Sequence, residues 1–200
     1  MNLANKLTIF RIILVPIMVI IPIFKIQGEL FGIPLTYLIM NLIFIIASYT
    51  DHLDGKIARK RNQITSFGKF ADPLADKILV LAAMMMLVQF AKIPAWIPIV
   101  IIAREFIVSG YRMIAVEKKG EVVAASIWGK IKTVTQIIAI ILAYLDTNGF
   151  AEFITDQTIM GFNLVLNIAT AAFMVTCVIA TVYSGFDYLK GGKDLFNEFK

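Results

Sequence analysis

One cysteine and one histidine in 200 residues leave this chain without the means for several kinds of chemistry. Cys177 alone forms no disulfide within the chain and no thiolate metal site, and His52 alone builds no histidine cluster. Any metal bound here must be held by oxygen, which suits Mg2+ or Mn2+ better than structural zinc. Charge is scarce too: 16% of residues are Asp, Glu, Lys or Arg, against 59% hydrophobic residues and a mean hydropathy of +0.81. So little polar surface does not cover a water-soluble globule, and the chain belongs in a bilayer. Low-complexity linkers and internal repeats are absent as well, so residues 1–200 read as a single membrane domain.

What is present is apolar sequence in six runs, at about 7–24, 35–57, 70–91, 94–116, 127–145 and 159–188. A hydrocarbon core of about 30 Å needs roughly 20 apolar residues per helix, so each run is long enough to span. The expected fold is an all-α integral membrane protein, a bundle of six transmembrane helices. The first run, with Lys6 before it and Arg11 inside it, has the look of a signal peptide. No small-residue cleavage site follows, so a retained helix is expected.

Cations are distributed unevenly. With the N-terminus in the cytoplasm, Lys6, Arg11, Lys56, Arg59, Lys60, Arg61, Lys69, Arg112, Lys118, Lys119, Lys190, Lys193 and Lys200 fall on the inner side. Lys25 and Lys92 fall on the other, whose longest loop carries Asp146, Glu152 and Asp156. The positive-inside rule then places both termini at the cytoplasmic face. The net charge of +5 is concentrated where anionic lipid headgroups lie. Nucleic acid is not an expected partner, because the cations flank spans and no nucleic-acid motif appears. Trp96 and Trp128 near helix ends suit interfacial anchoring.

Four carboxylates interrupt this apolar chain within 26 residues. Asp51, Asp54, Gly55 and Ala58 stand at i, i+3, i+4 and i+7 near the end of the second run and share one helix face. Gly68, Asp72 and Asp76 stand at i, i+4 and i+8 at the start of the third, with the two acids about 6 Å apart along the axis. Packed antiparallel, the stripes converge on a pocket at the cytoplasmic rim, where unpaired carboxylates would be costly without cations. Such a pocket suits two divalent ions about 3.5–4 Å apart, a spacing fit for phosphoryl transfer. Gly55, Ala58 and Gly68 leave its wall without bulk, so a base or pyrophosphate can approach, while Arg59 and Lys69 add charge where phosphates would lie.

Intramembrane acids also occur as salt bridges or in ion-coupled transporters. Salt bridges would need matching buried bases and would not explain the interleaved small residues. Transporters usually hold such groups near the midplane, whereas these lie toward one end.

The run Asp51-x-x-Asp54-Gly55-x-x-Ala58-Arg59, then Gly68-x-x-x-Asp72-x-x-x-Asp76, resembles the complete signature of the CDP-alcohol phosphotransferase family, with no departure at a fixed position. The resemblance implies a homodimeric enzyme of six membrane helices that transfers a substituted phosphate from a CDP-linked donor to an alcohol and releases CMP. Asn5, Thr8 and Arg11, with Ala103-Arg104-Glu105, Ser109-Gly110 and Arg112, resemble the branch that joins CDP-diacylglycerol to glycerol 3-phosphate, giving phosphatidylglycerol phosphate. The similarity extends over roughly residues 1–135, and the last helix adds little beyond hydrophobicity. Other branches use inositol phosphate, serine or phosphatidylglycerol as acceptor.

Carried onto matching positions, the resemblance implies that Asp51, Asp54, Asp72 and Asp76 hold metal and that Asp76 also acts as catalytic base. It implies donor nucleotide binding by Asn5, Thr8, Arg11, Gly55, Ala58, Arg59 and Gly68. For the first three, N-terminal capping with an interfacial arginine is the plainer reading. The acceptor phosphate needs further cations, for which Arg104, Arg112 and Lys130 are the candidates. Arg104 and Arg112 stand eight residues apart on one helix face. An arginine as deep as Arg104 costs about 2.5–3.5 kcal/mol on insertion scales, which favours a function. Arg112 has an alternative in snorkelling to the interface. Asn41, Asn163 and Asn167 suit hydrogen bonding between helices.

Overall fold

A computed structural model describes residues 3–60, 66–119 and 126–191, with side chains at 52–60, 66–70 and 116–119 outside that description, as are those of residues 3, 4, 189 and 191. The long helices are α1 (Leu3–Ile20), α2 (Leu35–Lys60), α3 (Ser66–Gln89), α4 (Trp96–Lys119), α5 (Ile127–Leu145) and α6 (Gly161–Gly191). Their bounds follow the apolar runs to within a few residues. Helix α2 runs on to Lys60 and α3 begins at Ser66, so both extend a few residues beyond their apolar runs.

One feature departs from an all-helical chain. Strands β1 (Glu29–Leu30) and β2 (Ile33–Pro34) pair antiparallel. The two-residue turn between them, Phe31 and Gly32, has φ of 56° and 76°. Positive φ at both central residues matches the twist of a tight hairpin, and glycine supplies one of them without strain.

Helices α1 and α6 turn polar and small side chains inward and large aliphatics outward. On α1 the buried residues are Asn5, Thr8, Arg11, Val15 and Met18, while Phe10, Ile13, Ile17 and Ile20 are exposed. The inward stripe follows helical spacing, yet its first half is polar and the outward face is aliphatic. Along α6 the buried Asn167, Thr170, Ala171, Met174, Cys177, Thr181, Ser184 and Tyr188 recur every three or four residues, with Val165, Ile168, Val175, Ile179, Val182 and Phe186 outside. Small and hydroxyl-bearing residues inside, and large aliphatics outside, suit helices that pack on each other in lipid. Among the described residues, Asn5–Phe24, Ile127–Leu145 and Gly161–Tyr188 are long and apolar enough to cross a membrane, and Leu35–Asp51 forms a shorter apolar stretch. The chain is an integral membrane protein.

The core joins Met18 of α1, Met40 and Phe44 of α2, Leu79 and Leu87 of α3, Ile97 and Ile101 of α4, Ile140 of α5 and Met174 of α6. Helix α1 lies against both α2 and α3, and α5 packs along α6. Asn41 Nδ2 donates to the Ile141 carbonyl at 3.2 Å, tying α2 to α5 as expected of a helix-bridging amide.

A polar knot closes the end where α5 turns into α6. Asp146 is 2% exposed; it accepts from the Asn148 amide N at 2.9 Å and from Asn167 Nδ2 at 2.8 Å. Asn167 also donates to the Gly149 carbonyl at 2.8 Å and accepts from Phe153 N at 3.1 Å. Lys92, in the α3–α4 turn, donates to the Asn148 carbonyl at 3.4 Å and lies 5.5 Å from the Tyr37 ring centre. Burial pulls its pKa below the ordinary lysine value, and Asp146 and Glu152 oppose that shift. Asn163, by contrast, is exposed.

Candidate functional site

Successive helices alternate in direction, so the start of α1, end of α2, start of α3, end of α4, start of α5 and end of α6 gather at one end of the bundle. Into that end α1 turns three buried polar side chains, Asn5, Thr8 and Arg11. Arg11 Nη1 lies 2.6 Å from Oδ1 of Asp51 on α2, and the Thr8 hydroxyl donates to Oδ1 of Asp72 on α3. Arg11 is 0% exposed and Asp51 39%, so the guanidinium is fixed inside while the carboxylate stays open to a ligand. A fully desolvated arginine persists only when paired, and that pairing sets where Asp51 sits. Helix α1 thus holds one acid from each half of the motif, a linkage the sequence spacing of the acids does not contain.

Asp76, one turn beyond Asp72, is acted on by the charges of Asp51, Arg11, Lys132 and Glu105. It lines a groove of about 590 Å³ between α3, α4 and α5, whose walls include Met84, Ile101 and Ile137. Lys77, Glu105, Ser109 and Lys132 line the same groove, and Lys77 donates to the Ser109 hydroxyl. A carboxylate bordering an apolar groove can meet a substrate that is part lipid.

Asp51, Asp72 and Asp76 are the described acids of the motif. Asp54, Gly55, Ala58, Arg59 and Gly68 lie outside the described side chains. Among the described residues, no three of His, Cys, Asp and Glu are gathered closely enough to hold a metal ion. The donor chemistry, carboxylate oxygen alone, fits a hard divalent cation.

The cations expected at the acceptor phosphate fall in two places. Arg104 and Arg112 both turn toward α6: Arg104 Nη2 donates to the Ser184 hydroxyl and Arg112 Nη2 to the Tyr188 hydroxyl. Lys130 is exposed on the first turn of α5. Lys132, two residues on, is the buried lysine; it forms an ion pair with Glu105, which also lies 3.4 Å from Arg104 Nη1. Lys132, Ser184 and Tyr188 were not among the expected residues. Residues two apart in sequence are turned about 200° from each other on a helix, so which lysine faces inward depends on helix rotation. Ser and Tyr in an apolar run look like packing until the arginines that meet them are placed.

Comparison with known proteins shows the family. Residues 1–183 match the CDP-alcohol phosphatidyltransferase family. A CDP-diacylglycerol–glycerol-3-phosphate 3-phosphatidyltransferase of Bacillus subtilis is 52% identical over 146 residues, 70% of this chain and 74% of its own length. One of the same name from Haemophilus influenzae is 35% identical over 199 residues, 96% and 94%. A probable phosphatidylglycerophosphate synthase of Mycobacterium tuberculosis is 34% identical over 188 residues, 94% and 80%. The chain belongs to the CDP-alcohol phosphatidyltransferase family and is a membrane-embedded transferase.

Proposed function

We infer that this enzyme transfers the phosphatidyl group of CDP-diacylglycerol to the primary hydroxyl of glycerol 3-phosphate, giving phosphatidylglycerol phosphate and CMP. The similar proteins carry that activity in their names. The observation that carries it to this chain is Asp76, which borders an apolar groove and lies within reach of the Asp51–Arg11 pair. A lipid-linked donor needs both an apolar berth and a charged one, and here they adjoin.

In this reading Asp51, Asp54, Asp72 and Asp76 would hold two divalent cations, Mg2+ or Mn2+, in keeping with a family of divalent-metal enzymes. When bound, these ions neutralise charge on the donor phosphates and make the acceptor alcohol more acidic. Arg11 and Thr8 keep Asp51 and Asp72 in place. With Asn5 and the small-residue wall of Gly55, Ala58 and Gly68 beside Arg59, they border the donor nucleotide. Arg104 and Arg112 hold the acceptor phosphate. Asp76 takes the hydroxyl proton as the oxygen attacks the β-phosphorus, and the bond from that phosphorus to CMP breaks. Direct displacement of this kind needs no covalent enzyme intermediate.

The six helices are read as six spans within one unit, 1–200, with the site and both termini at the cytoplasmic face and a second copy completing a homodimer. Charge asymmetry supports the orientation. The experiment is to incubate purified protein with CDP-diacylglycerol, Mg2+ and a panel of alcohols. CMP release with glycerol 3-phosphate alone is expected; release with serine or inositol phosphate instead would reassign the acceptor.

A further inference from the structure

We propose that α6 supplies two positioning residues, Ser184 and Tyr188, which set Arg104 and Arg112 as a paired guanidinium site for the phosphate of the acceptor. The proposal rests on the reading of those arginines given above, and its residues lie beyond 183, where the family match ends.

The Tyr188 ring lies between the two arginines, 5.7 Å from the Arg104 guanidinium carbon and 5.1 Å from that of Arg112. Its hydroxyl accepts from Arg112 Nη2 and, at 3.3 Å, from the backbone N–H of Ser126. Ser184 accepts from Arg104 Nη2, and its oxygen is 3.3 Å from Ser126 Oγ. Ser126 in turn caps α5, accepting from Gly129 N at 3.1 Å. Two glycines abut the deeper arginine: a Cβ on Gly185 would meet Arg104 Cγ at 3.4 Å, and one on Gly129 would meet Nη2 at the same distance. Tyr111 meets Tyr188 edge-on with ring centres 6.0 Å apart.

The choice of partners carries the argument. An arginine can be fixed by a carboxylate or by neutral acceptors. A carboxylate fixes and neutralises at once, whereas a hydroxyl and an aromatic face hold the guanidinium while leaving its charge. Among the described residues Arg112 makes no ion pair, and the one acid beside Arg104, Glu105, is shared with Lys132. Two like charges are therefore drawn to one ring by neutral groups, at the end of the bundle where Asp76 lies. That arrangement suits a small dianion such as a phosphate monoester. Held guanidiniums also lose less side-chain entropy when the anion arrives.

The test is steady-state kinetics of Tyr188→Phe, which keeps the ring and removes the hydroxyl. About a tenfold rise in KM for glycerol 3-phosphate is expected, with kcat within twofold and KM for CDP-diacylglycerol unchanged. Inorganic phosphate, used as a competitor against glycerol 3-phosphate, should lose potency by the same factor. An unchanged acceptor KM, or an equal rise in both KM values, overturns the proposal. Ser184→Ala, measured the same way, decides the matter should Tyr188→Phe fail to fold. The wild-type enzyme separates the two levels of inference. If phosphate does not compete with glycerol 3-phosphate there, the reading of the arginines fails and the proposal with it. If it competes and both variants behave as wild type, only the role of α6 fails.

Discussion

Asp76 differs from Asp51 and Asp72 in what surrounds it: it lines an apolar groove and feels the charges of the Asp51–Arg11 pair. A base needs only to be close and ionised, and asparagine keeps its shape without accepting the proton. Asp76→Asn should therefore lower kcat by about 10²-fold or more while CDP-diacylglycerol still binds, as CMP release and donor binding measured side by side would show. Turnover near wild type would remove Asp76 from the chemistry. Thr8 makes a different contribution, holding Asp72 through its hydroxyl. In Thr8→Val the shape is kept and the donor is lost, so the Mg2+ concentration for half-maximal activity should rise about tenfold, with KM for glycerol 3-phosphate unchanged. At this scale the motif acids were legible because four carboxylates in an apolar chain need a reason. The partners of Thr8 and Arg11 were not, since they depend on α1 lying against both α2 and α3. Lys130 and Lys132 were indistinguishable for the same reason, as nothing local fixes the rotation of α5.

Helices divide their labour between the two ends of the bundle. The end bearing the acids holds ionisable groups open to ligands, whereas the opposite end is tied by the hydrogen bonds of Asn167 to Asp146, Gly149 and Phe153. Asn167 is fully buried, so replacing it by leucine removes the donor to Oδ2 of buried Asp146 and the partners of two backbone groups. Asn167→Leu should cost about 2–4 kcal/mol of stability, read as a lower Tm in detergent, with KM values unchanged at a permissive temperature. A Tm equal to wild type would show that the knot is ornamental. Helix bounds were legible in the sequence, because runs of apolar residues of spanning length leave few choices. The hairpin at 29–34 was not, being two residues per strand and dependent on the positive φ of Phe31. Asn167 was legible as a bridging amide, while its neighbour in type, Asn163, faces outward.

At the scale of the molecule, large aliphatics cover the outside of the bundle, polar side chains are buried beside its apolar core, and charge is sorted along its length. The end that gathers Lys6, Arg11, Asp51, Asp76, Arg104 and Arg112 also holds Lys190, whereas Lys25 lies at the other end, between α1 and α2. Anionic inner-leaflet lipids and the translocation machinery both favour cations on the cytoplasmic side, so the acid-bearing end is expected there. In the proposed reaction glycerol 3-phosphate would reach it, and CMP leave it, on that side without crossing the bilayer. The chain offers a clean way to test this, because Cys177 is its one cysteine and is fully buried in α6. A membrane-impermeant maleimide should leave the wild type unlabelled in intact cells. Lys25→Cys and Lys190→Cys each place a thiol at an exposed position, one at either end. Lys25→Cys should label in intact cells, and Lys190→Cys only after the membrane is opened. The reverse pattern would put the transfer site on the outer face and would overturn the orientation drawn from the charges.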